Sequence, residues 1–394
     1  MEEKKERLWN ERYIKIMIAN FSMFFAFYIL TPLLPLYMTQ TFHASKDIIG
    51  IVLSGYSITA LMVRPFSGFF VDSFPRKQVL MLCFAMFLVF FFGYIVAASL
   101  LWFALVRILH GGPFGALTVA NTTVAIDVLP SSRRNEGLAL YGVSNNMAMA
   151  VAPTIAIVLY KWTNDFQLLF WVALIVAAIG LILDQSVKLD PRPAASAKQK
   201  ISLDRFFLIP GWLLAINIIF FGFCIGIINY YLAIYSQQER GITGGAGTFY
   251  FLLASGLILS RLVGQKSLHE GKLSQNAAKG LVVSTIAYIL FIAVPTDWSY
   301  YLSALILGLG NGHMWPAFQN MMLNMGTNAQ RGTANSTTLT SWDTGVGLGI
   351  LFGGIIAEHS SFATVFWVAA VVHFLGLVLY LAAGKRFFER GKLR

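Results

Sequence analysis

Apolar runs of about 20 residues alternate with short polar breaks from one end of this chain to the other. They cover positions 15–37, 46–70, 79–98, 100–126, 136–159, 166–186, 210–234, 244–265, 278–295, 299–323, 335–357 and 362–383. A helix of that length crosses roughly 30 Å of hydrocarbon. Helices are the expected form, because in lipid each segment must satisfy its own backbone amides and carbonyls. The pattern therefore predicts an all-α polytopic membrane protein with twelve transmembrane helices. One long polar stretch, residues 185–206, interrupts it, and its Pro, Ala, Ser and Lys content suits a linker. Six spans fall on each side. The expected domains are a bundle over 1–186, a cytoplasmic linker over 187–206 and a second bundle over 207–394.

Equal halves suggest a duplication. A shift of 197 residues pairs Arg64 with Arg261, Gly115 with Gly312 and Arg134 with Arg331, and also Asn20 with Asn217 and Gln40 with Gln237. Rare polar residues at matching depths point to two pseudo-symmetric six-helix bundles. In transporters of that plan the substrate site lies near the midplane between the halves.

Composition agrees: 57% of residues are hydrophobic and 12% charged, too little polar surface for a soluble chain of 394 residues. The net charge of +11 raises nucleic acid as a partner, but its distribution argues otherwise. On twelve spans starting inside, the outer loops hold only Lys46, Lys161 and Arg240 among basic residues, and Arg64, Arg107 and Arg261 lie within spans. The rest are on the inner side, which places both termini in the cytoplasm. The opening "MEEKKERLWNERYIK" mixes acids with bases and leads into a full span, so it does not read as a signal peptide. Cys83 and Cys224 fall in different spans as small apolar residues, and no metal site or cofactor is expected.

The loop after the second span carries "GFFVDSFPRK", with Gly68, Asp72, Arg76 and Lys77. This resembles the loop 2–3 signature of the major facilitator superfamily. "RILHGGPFGA", with Arg107, His110, Gly111 and Gly115, resembles the fourth-helix motif of its proton-coupled members, and "TPLLP" and "DVLPSSRRNEG" resemble its drug and metabolite efflux branch. Physical reasoning assigns the loop residues similar parts. Gly68 lets two helices approach closely. Asp72 can face the positive N-terminus of another helix, which the resemblance implies is span eleven. Arg76 and Lys77 can bridge to Asp127 and Glu136, near Arg134, forming a cytoplasmic gate. Pro75 stands where the family usually has glycine, and the second-half copy "RLVGQKSLHEGK" lacks the Gly and Asp. The competing reading is a solvated loop that only orients the chain.

Within the spans, Arg64 and Arg261 are matched by the repeat and can clamp an anionic group from two sides. Equally, each can cap carbonyls within its own bundle. Asp343 is the one carboxylate well inside the second half, a proton carrier or cation contact on one reading and a salt-bridge partner on the other. Arg107, His110 and His313 complete the proton-coupling candidates, against snorkelling or packing roles. Amides and aromatics that can line a solute path are Asn20, Tyr28, Asn121, Asn145, Asn146, Asn217, Asn229, Tyr230, Trp315, Gln319, Asn320 and Trp342. Such a lining suits an amphipathic organic solute, although amides also glue helices together. In span five "AMAVAPTIA" keeps Pro153 with small neighbours but lacks the glycines of the efflux motif.

The expectation is a monomeric, proton-coupled antiporter that exports a small organic molecule across the inner membrane. The alternative is a transporter of a carboxylated or metal-chelating metabolite gripped by Arg64 and Arg261. A non-transporting receptor is the third reading. No nucleophile elbow, phosphate loop or metal-ligand cluster suggests an enzyme.

Overall fold

A computed structural model describes residues 8–130, 134–189, 207–242, 245–269, 272–327 and 330–393. Fourteen α-helices run through them: α1 Glu11–Leu30, α2 Leu34–Phe42, α3 Lys46–Ser73, α4 Arg76–Ile95, α5 Leu100–Val128, α6 Arg134–Thr163, α7 Phe166–Ser186, α8 Trp212–Gln238, α9 Gly245–His269, α10 Leu273–Ala293, α11 Asp297–Met325, α12 Arg331–His359, α13 Phe362–Leu379 and α14 Lys385–Gly391. The all-α membrane architecture stands as read. Ten helices among the described residues are long and apolar enough to cross a membrane, against twelve expected. Of the other two, α9 is apolar only over its described part Gly245–Ser260. α11 is long but carries Asn311, His313, Gln319 and Asn320.

The first expected span is broken. α1 stops at Leu30 and α2 begins at Leu34. Pro32 and Pro35 each lack an N–H, so a continuous ladder cannot pass through them. The chain divides at this break into two compact units: residues 1–31 with 59–200, and residues 32–58 with 201–394.

In the first unit α1 packs on α6 and α7, and α4 on α5 and α7. Buried Phe84, Phe87, Phe91, Tyr94 and Phe103 fill the centre. Gly115 lets α5 lie against α3, since a methyl there would come within 2.7 Å of the Ala60 carbonyl oxygen.

The second unit is built on three close crossings: α8 on α12, α9 on α11 and α10 on α11. Methyl groups at Gly222 and Gly226 would each sit 2.6 Å from a carbonyl oxygen of α12, those of Trp342 and Val346. Without a hydrophobic drive between helices in lipid, small residues provide the contact by letting backbones touch. At one end of this unit Glu239 accepts the N–H groups of Phe362 and Ala363 at 2.7 and 2.9 Å, capping α13. Glu358 likewise accepts the Lys46 N–H at 2.8 Å, capping α3.

The duplication holds in three dimensions. Tyr94 and Phe103 meet at 5.4 Å between ring centres, and Phe291 and Tyr300, each 197 residues on, meet at 5.6 Å. Gly115 approaches Ala60, and Gly312 approaches Leu257, at the same shift. From α7 to α13 the shift becomes 196: Phe170 sits 5.8 Å from Tyr94, and Phe366 sits 5.0 Å from Phe291.

Candidate functional site

The most closely built polar site in the first unit lies where α4 and α5 meet. Arg107 and His110 are one turn apart on α5, so they share a face, and each is only 1% exposed. The Tyr94 hydroxyl, from α4, lies 2.8 Å from His110 Nδ1 and accepts a hydrogen bond from Arg107 at 3.4 Å. Phenylalanines close the rest of the shell. Phe90 stacks on the imidazole at 5.3 Å, Phe87 and Phe91 lie at 4.7 and 4.9 Å, and Phe27 of α1 faces the guanidinium at 5.8 Å. A titratable ring and a cation are thus held away from water by aromatics. Arg107 lies fully inside the unit.

The matching corner of the second unit is built differently: the Arg240 guanidinium lies 5.8 Å from the Tyr300 ring, and the Tyr300 hydroxyl sits 2.6 Å from that of Ser236. At the shift of 197, Arg107 becomes Ala304, His110 becomes Leu307 and Tyr94 becomes Phe291, all buried. At these three positions the same scaffold carries apolar side chains.

Asn20 joins the buried network of α1 and α6. It donates to Ser144 at 2.7 Å and accepts from Tyr141 at 2.7 Å. Its repeat partner Asn217 donates within its own helix, to the Leu213 carbonyl at 3.0 Å. Asn121 is completely buried, and neither amide atom has a hydrogen-bond partner. Asn145 and Asn146 are half-buried on α6, and Tyr28 stacks on Phe24. Arg64 is half-buried on α3.

In the second unit Trp315, Trp342 and Phe221 form an aromatic cluster, the two indoles 4.6 Å apart and Phe221 5.2 Å from Trp342. Asp343, next to Trp342, is half-buried, as are His313 and Gln319. Tyr230 is buried, Asn229 is half-buried, and Asn320 is exposed with its amide on the Pro316 carbonyl. Side chains of Gly68, Asp72, Arg134, Glu136 and Arg261 lie outside the described residues.

At the end of α4, Arg76 grips both oxygens of Asp127 at 2.6 Å each. Lys77 turns elsewhere. It donates to the carbonyls of Asp184, Gln185 and Val187, capping the end of α7.

Sequence reasoning missed three of these residues: Tyr94, Tyr141 and Asp184. Nothing marks the two tyrosines in the sequence. Asp184 did leave a signal, because it continues the buried face Leu169, Phe170, Ala173, Ala177 and Gly180 at helical spacing. His373, which had no visible companion, sits 3.0 Å from the Thr285 hydroxyl and against the Tyr288 ring.

Known proteins resemble the whole chain. The staphylopine export protein of Staphylococcus aureus (strain Mu50 / ATCC 700699) is 20% identical over 388 residues, 94% of each chain. The quinolone resistance protein NorA of S. aureus (strain MRSA252) is 21% identical, covering 93% of this chain and 96% of its own. A Na(+), Li(+), K(+)/H(+) antiporter of Planococcus maritimus is 28% identical over 181 residues, 44% of this chain and 42% of that one. Among solved structures, a bacterial homolog of the human lysosomal transporter Spinster superposes with a TM-score of 0.77 at 15% identity, over 97% of this chain and 98% of its own. The family profile of the Major Facilitator Superfamily matches residues 16–270 and 271–391. With its all-helical fold, duplicated units and near-complete profile match, this multi-span membrane chain belongs to the Major Facilitator Superfamily of transporters.

Proposed function

We propose that this transporter is a proton-coupled antiporter that exports a small organic molecule across a bacterial plasma membrane, working as a monomer with both termini in the cytoplasm. The observation that carries this reading is the Tyr94–His110–Arg107 corner. Ionisable groups are costly in a membrane and mark ion or substrate paths by default, and the second unit carries Ala304, Leu307 and Phe291 at the three matching positions, so the scaffold does not require these groups there. Relatives named for export, drug resistance and cation/proton antiport support the same direction. The aromatic cluster of Trp315, Trp342 and Phe221 beside Asp343 supplies apolar surface with one anionic group, a lining suited to an amphipathic solute.

The test is flux in proteoliposomes under an imposed pH gradient, with a fluorescent quinolone as probe. Uptake should follow the gradient, collapse when nigericin dissipates it, and fall about tenfold or more in Arg107→Ala, equivalent to about 1.4 kcal/mol. Flux that ignores the gradient would sink the proposal.

A second reading takes the solute as a carboxylate held by Arg64 and Arg261. It is supported by Arg64, half-buried midway along a membrane helix. Replacing the quinolone by citrate in the same assay, with Arg64→Ala and Arg261→Ala, separates the two.

A further inference from the structure

Asp184 is the one carboxylate fully buried among the described residues, at 0% exposure, and neither of its oxygens has a hydrogen-bond partner. It lies on the last turn of α7, with exposed Gln185 and Ser186 directly after it. A buried carboxylate left ionised without a donor is among the most costly arrangements a protein can hold. Three relieving species are conceivable: a side-chain cation, a metal cation or a proton.

The neighbours decide between them. α7 packs against α1, α4 and α6. From α4 comes Lys77, but its ammonium is spent on the carbonyls of Asp184, Gln185 and Val187 and makes no ion pair with the carboxylate. Arg76 beside it is committed to Asp127. From α6 comes Tyr141, whose hydroxyl is given to Asn20. α1 offers Tyr13, whose hydroxyl donates to the Gly137 carbonyl, Lys15, paired with Glu11 at 2.6 Å, and exposed Arg12. Among the described residues, no side-chain cation therefore forms an ion pair with the Asp184 carboxylate; the nearest, Lys77, is held on the carbonyls beside it. A metal ion would have to share the helix-end carbonyls already filled by a fixed ammonium, which repels it. A proton needs neither room nor extra ligands.

The duplicate unit closes the same corner differently. At the shift of 196, Asp184 becomes Tyr380, and at 197 Lys77 becomes Ser274. There the Tyr380 hydroxyl donates to the Ser274 carbonyl at 2.9 Å. A neutral, satisfied hydrogen bond stands where the first unit keeps an acid and a base side by side, so packing does not require the acid.

We propose that Asp184 is a proton-binding site of the first unit, separate from the Arg107–His110 corner, with Lys77 poised to hold the carboxylate once the proton has left to water beyond Gln185. Binding of the proton stands on the first unit alone, and its use in coupling rests on the antiport reading above.

Infrared spectroscopy of the protein in liposomes tests the site without any solute. As pH is raised, the C=O stretch of a protonated carboxyl should disappear and a carboxylate band should appear. The parent-minus-variant spectrum should assign both bands to Asp184 through Asp184→Asn, while Asp343→Asn leaves them in place. Lys77→Met should move the midpoint upward, with about tenfold tighter proton binding, the usual scale for losing a neighbouring cation. Should Asp184→Asn fail to fold, Asp184→Glu must shift the band in its place. Identical titrations in parent and Asp184 variants would overturn the proposal, whatever the transport assay reports. A titrating band together with gradient-blind transport would keep the site and discard the antiport reading.

Discussion

The corner where α4 meets α5 and the corner where α10 meets α11 share one design, and they differ in where their polar groups sit. Both stack aromatic rings across the helix pair at nearly the same spacing, 5.4 and 5.6 Å. One then buries arginine, histidine and a tyrosine hydroxyl, and the other buries Ala304, Leu307 and Phe291. Because Ala304, Leu307 and Phe291 pack at the matching positions, the repeated scaffold does not by itself call for Arg107, His110 or the Tyr94 hydroxyl there. The contrast separates the rings, which both units share, from the polar groups that only the first unit carries at these positions.

The comparison can be broken most forcefully by moving the charge. Ala304→Arg places a further guanidinium in the corner where the Tyr300 hydroxyl is already bonded to Ser236, and should lower stability by about 3 kcal/mol or more. Thermal unfolding in detergent should show the loss, and an unchanged midpoint would mean that the corner was never dry. Next come the shared close approaches. Gly115→Val and Gly312→Val each force a side chain against a neighbouring helix and should each cost about 1–3 kcal/mol; a large cost in one unit alone would argue against equivalent crossings. Arg107→Ala copies the second unit into the first, so gradient-driven flux should fall about tenfold while the unfolding midpoint barely moves. Unfolding of that variant would return Arg107 to a structural part. The smallest change is Tyr94→Phe, again the residue of the other unit. Loss of the buried hydroxyl, with its short hydrogen bond to His110 and its longer one from Arg107, should cost about 1–2 kcal/mol, visible as a modest drop in midpoint and an altered pH profile of transport.

Much of the architecture was readable because membranes impose simple length and polarity rules. Repeated apolar runs gave the helices, and matched polar residues gave the duplication. The Arg76–Asp127 pair, too, was among the contacts that residue order suggested. The span count was harder, since α11 carries Asn311, His313, Gln319 and Asn320 and so looks less like a span. Local chemistry at the first span was underweighted: Pro32 and Pro35 end a helix whatever the hydropathy around them. Site geometry was the least legible part. Hydropathy does not say that Tyr94 on one helix will meet His110 on the next. Lys77 looked like a partner for an acid, yet the end of α7 offered it three carbonyls. Asp184 lies at the end of the expected span 166–186, one residue before the polar stretch, and only its position on the buried face of α7 separates it from its polar neighbours.

The crossing of α8 on α12 has a practical consequence for anyone purifying this protein. Backbone rests on backbone there, with Gly222 and Gly226 leaving no gap for an acyl chain or a surfactant tail. Detergent competes for greasy outer faces, but it has little purchase on a seam made by shape alone. Harsh solubilisation should therefore loosen the peripheral helices first, leaving this pair as the last part of its unit to come apart.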